Sequence, residues 1–82
     1  MKEMEKIAFD MIVVLKVQSV IPLLMERKHL SFKQALRYLY ASELYQMLEN
    51  EATKVWHYSP MMLCTLVEKE KTSGQLILPD HV

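Results

Sequence analysis

Three histidines, one cysteine and a scatter of carboxylates are the side chains with which this 82-residue chain could do chemistry. His29, His57 and His81 have no second His, Cys or carboxylate at a spacing that zinc ligation uses, so the sequence predicts no metal site. Cys64 and His57 could be cast as nucleophile and base. They stand on opposite sides of a helix start, however, and a single glycine leaves no loop for an oxyanion hole or a phosphate cradle. Glu68 and Glu70, two apart on a helix, point in different directions and cannot act as a hydrolytic pair. The expectation is therefore no enzyme, no cofactor and no small-molecule substrate.

Two further groups could bind rather than react. Trp56, His57 and Tyr58 form the densest aromatic cluster, and Trp and Tyr serve equally as interface anchors and as plugs for a small core. Period-two alternation would set Trp56 and Tyr58 on one face, with Val55 and His57 on the other. Arg27, Lys28, Lys33 and Arg37 are the basic group. They could touch phosphates at most, or form a solvated face. Ten Lys and Arg balance ten Asp and Glu, so no overall field favours nucleic acid or an anionic membrane. Zero net charge also removes one barrier to self-association.

The elements that must position these groups read as helices. Residues 3–28 make a long first helix through Pro22, with a strand as the competing reading of Met11 to Leu15, which is rich in β-branched residues. Ser31 and Gln34 form a capping box for a second helix ending near Tyr40, with Phe32, Ala35, Leu36 and Leu39 inward. Ser42 and Glu43 start a short third helix to about Glu49, with Leu44, Tyr45 and Leu48 apolar. Ser59-Pro60 is a strong helix start, with Tyr58 and Leu63 placed as a staple across it. The fourth helix carries Leu63, Leu66, Val67 and Glu70 at helical spacing to about Lys71 and stops at Gly74. The predicted fold is mostly α, one domain over 1–82: a small bundle of about four helices with a long first helix. Short strands near 55–58 and 75–78, the second closed by Pro79, are a subsidiary expectation. Seven Met and one Gly suit such a helical core.

Between Ile7 and Met25, 14 of 19 residues are apolar. Asp10, Lys16, Gln18, Ser19 and Pro22 interrupt the run, and a central Asp or Lys each costs roughly 2.5–3.5 kcal/mol on insertion. Glu3 and Glu5 offset Lys2 and Lys6, and no small-residue cleavage site follows, which is unlike a signal peptide. With Cys64 alone there is no disulfide framework. The reading is a cytoplasmic protein with no membrane partner.

The span from about Leu30 to Gly74 carries Ser31, Ala35-Leu36, Tyr40-x-Ser42, Leu44-Tyr45-x-x-Leu48, Thr53-Lys54-x-Trp56 and Ser59-Pro60, followed by an acidic helix ending near Glu70. In this it resembles short bacterial mostly helical domains of unknown function, some encoded beside toxin-like genes. The resemblance implies a small accessory protein with, at most, an antitoxin-like partner role, and it brings no functional residues with it.

The long helix is apolar on two sides. Ile7, Met11, Val14 and Leu15 make one, and Phe9, Val13, Val17, Val20 and Leu24 make the other. Later helices are expected to cover one side only. The second set, with Trp56 and Tyr58, is the expected partner surface of a self-associating protein-binding module, a homodimer. The alternative is a helix-turn-helix-like DNA-binding regulator built from the second and third helices, although the third carries Glu43 and Glu49 and no Lys or Arg.

Overall fold

The long apolar run is helical from end to end. In the computed structural model, which describes residues 2–78 (with side chains from Ala8 onward), helix α1 spans Lys2–Lys28. It passes through Pro22 without a break. Proline there frees the carbonyl of Gln18, but Gln18 and Pro22 both lie on the open side of α1, where water can satisfy that oxygen. α1 ends at His29, which adopts the left-handed conformation at φ 56°. The Leu30 amide then donates back to the Met25 carbonyl at 3.1 Å, closing the helix end.

The chain then folds back along α1. Helix α2 (Phe32–Tyr40) begins at the expected capping box, in which Ser31 Oγ accepts from the Gln34 amide and the Gln34 side chain accepts from the Ser31 amide. Helix α3 (Glu43–Leu48) starts at Ser42, which is fully buried. Its hydroxyl is satisfied on both sides, donating to the Leu39 carbonyl and accepting from the Tyr45 amide. Helix α4 (Pro60–Ser73) starts at Ser59-Pro60 and stops at Gly74, whose φ of 82° is the left-handed conformation that glycine adopts without strain.

The two strand expectations do not hold; the described residues contain helices and no strand. Val55–His57 is one of two short 3-10 turns, entered through Lys54 at φ 59°. A three-residue turn sends Val55 and Tyr58 inward together, so the alternation expected of a strand is lost. Trp56 is half-buried and His57 exposed. Leu76 to Leu78 is irregular.

The core lies where α1, α2, α3 and α4 meet. Val20, Leu24, Leu39, Leu44, Leu48, Val55, Leu63 and Val67 are at most 1% exposed, and Tyr58 closes one end. Each such side chain contributes roughly 1.5–3 kcal/mol by leaving water. Polar ties fix how the helices sit around this core. Glu70, on the inner side of α4 as its spacing with Leu63 and Val67 requires, accepts from the first two amides of α3, Glu43 at 2.8 Å and Leu44 at 3.0 Å. Glu68 pairs with Arg27 at 2.9 Å and lies 3.7 Å from Lys28, joining α4 to α1. Lys16 Nζ donates to the Tyr58 carbonyl at 2.9 Å.

Candidate functional site

The helices leave one side of α1 open, and it is not the side expected. Phe9, Val13, Val20 and Leu24 are buried against the later helices, and Val17 packs on the same cluster. Their side of α1 is turned to α2 and α4 because those helices supply the matching apolar stripes. Met11, Val14 and Leu15 take the open side, at 60%, 52% and 57% exposed. The side chain of Ile7 lies outside the described ones.

The open stripe continues into a groove between α1 and α2 with a volume of about 410 Å³. Val14, Gln18, Pro22 and Met25 form the α1 wall, and Phe32, Leu36 and Tyr40 form the α2 wall. The residues of α2 recur at every fourth position, so they share one side of the helix. Helical spacing places Phe32 inward, yet it is 59% exposed. Ala35 and Leu39 take the buried positions instead, and Phe32 is left to line the groove. Tyr40 and Tyr45 close one end, ring against ring at 4.6 Å. The Tyr45 hydroxyl donates to Glu49 at 3.2 Å. Burial and the Glu49 carboxylate push its pKa up to about 12, so the phenol stays protonated.

The aromatic cluster is mostly structural. Tyr58 is 5% exposed and belongs to the core. Trp56 packs edge-on against Phe9 at 5.9 Å, stacks on His57 at 4.0 Å, and donates its indole N–H to the Glu51 carbonyl at 3.0 Å. These contacts hold the 3-10 turns onto α1. Part of the indole remains open beside His57.

Chemical groups are held apart or held inert. Cys64 is fully buried, and its Sγ lies 3.7 Å from Glu68 rather than beside His57. Burial, reinforced by the Glu68 carboxylate, pushes the thiol up to about 11, the opposite of what a nucleophile needs. Among the described residues no group of three or more His, Cys, Asp or Glu converges as a metal site would require. His81 lies outside the described residues. Helix α3, the recognition element of the DNA-binding alternative, has its first two amides occupied by Glu70. By length and composition Ala8–Lys28, with mean hydropathy 1.8, is apolar enough to cross a membrane; 28% of that window is buried inside the protein.

No family model, curated protein or solved structure matches this chain. Its surface is therefore the source of any functional reading.

A further groove runs between α4 and the segment Gln75 to Leu78, lined by Arg27, Glu68, Lys69 and Thr72 with Leu66 and Ile77. Its charged members are already partly engaged, since Glu68 binds Arg27. Among the described residues, no charged side chain lines the α1–α2 groove. Sequence reading missed it because a helix apolar on both sides gives no sign of which side its own chain will cover. The Phe32, Leu36, Tyr40 spacing was the available signal.

Proposed function

We propose that this chain is a protein-interaction module that self-associates through the long helix α1, on the side that carries Met11, Val14 and Leu15. The supporting observation is the continuity of that stripe with the groove floored by α1 and α2. A small soluble domain exposes single apolar side chains freely, but a contiguous apolar stripe leading into a groove marks a binding surface. The phenols of Tyr40 and Tyr45 add anchors that are apolar in body and polar at the tip. An accessory or antitoxin-like partner role, the one the sequence resemblance over about residues 30–74 implies, is the role such a module would fill.

Sedimentation of the purified chain at tens of micromolar tests the reading. A mass near twice the 9.7 kDa of one chain is expected, and a clean monomer would remove it. Salt-sensitive binding to random duplex DNA would promote the helix-turn-helix alternative. Partition into lipid vesicles would instead assign the open stripe to a membrane surface.

A further inference from the structure

The open face of α1 and α2 is charged unevenly along its length. At one end Asp10 and Glu49 lie around a shared hollow with Val14 and Tyr45. Toward the other end lie the exposed basic residues of α2, Lys33 and Arg37, each about 100° round the helix from the groove-lining Phe32 and Leu36, so they flank the α2 wall on its solvent side. Because α2 folds back along α1, the two charge groups are separated along the groove axis, with the apolar stripe between them.

Resting on the proposed self-association, we infer that the occupant of this face is a second copy of the chain laid antiparallel, with the two-fold axis crossing α1 between Val14 and Gln18. A two-fold pairing uses the same patch on both copies. Antiparallel placement brings the acidic end of each copy to the basic end of the other, whereas parallel placement sets like charges together. It also lays Met11, Val14 and Leu15 of one copy onto the same stripe and groove of its mate. Gln18, a polar residue in the α1 wall, then lies beside the axis, opposite Val14 of the mate.

Charge reversal on the full chain, read by sedimentation equilibrium with circular dichroism as the folding control, tests the register. The pair Asp10→Lys with Glu49→Lys should weaken self-association about tenfold, and so should Lys33→Glu with Arg37→Glu. All four changes together restore zero net charge and opposite-charge ends, and should return affinity to within about threefold of the parent. Should either pair fail to fold, Asp10→Lys, Lys33→Glu and their combination provide the same comparison at smaller amplitude. If the reversals leave affinity unchanged, or the fourfold variant stays as weak as the pairs, the antiparallel register is overturned while the parent dimer still stands. A parent chain that is monomeric at hundreds of micromolar overturns the self-association itself.

Discussion

Glu70 shows how one side chain sets the relation between two helices. Its carboxylate accepts from the Glu43 and Leu44 amides, where the α3 dipole favours negative charge. Glu70→Ala should cost about 1–2 kcal/mol in denaturant unfolding, and Glu70→Gln less, because an amide oxygen can still accept. His29 illustrates the reverse case, a side chain at a backbone position that suits glycine. His29→Gly should leave the fold intact and raise stability by up to about 1 kcal/mol. Tyr45 gives a pH signature. The folded chain holds its proton to about 12, while the unfolded chain releases it near its ordinary value of 10.0. The folded state therefore binds more protons between those values, and stability falls as pH rises through that window. Tyr45→Phe should flatten part of this alkaline decline, leaving the share contributed by Tyr38 and Cys64, whose constants are also raised.

At the scale of elements, the caps were the most legible features of the sequence. Ser31 with Gln34, Ser42, Ser59-Pro60 and Gly74 each mark a helix end where expected, because each satisfies orphan backbone groups by local chemistry alone. Non-local packing was the illegible part. Val55 to Tyr58 carries strand-forming residues, but the described residues hold no second strand to pair with them, and the left-handed Lys54 turns the segment into a 3-10 coil. Which side of α1 is covered depends on where α2 and α4 fall, and periodicity in α1 alone cannot report that. Two adjacent substitutions test the assignment. Val13→Asp buries a charge among core side chains and should unfold the chain or cost several kcal/mol, read by thermal melting. Val14→Glu, on the open side, should stay folded and, at dilutions where both chains are monomeric, melt within about 0.5 kcal/mol of the parent, the range usual for surface changes.

For the whole molecule, the central issue is how 82 residues accommodate a helix about 40 Å long. Three shorter helices are enough to bury one side of it and build a continuous core. They leave Met11, Val14 and Leu15 open, together with the groove that α2 completes. On the proposed reading this is the division of labour in the molecule: the inner stripe of α1 holds the fold and the outer stripe holds the partner. Zero net charge allows two copies to approach, and the uneven ends of the face order them. The most direct measurement is the solution mass of the parent chain and of Val14→Glu, taken side by side at tens of micromolar. The account predicts a parent near twice 9.7 kDa and a folded Val14→Glu at 9.7 kDa. A monomeric parent, or a Val14→Glu variant that remains as dimeric as the parent, would contradict it.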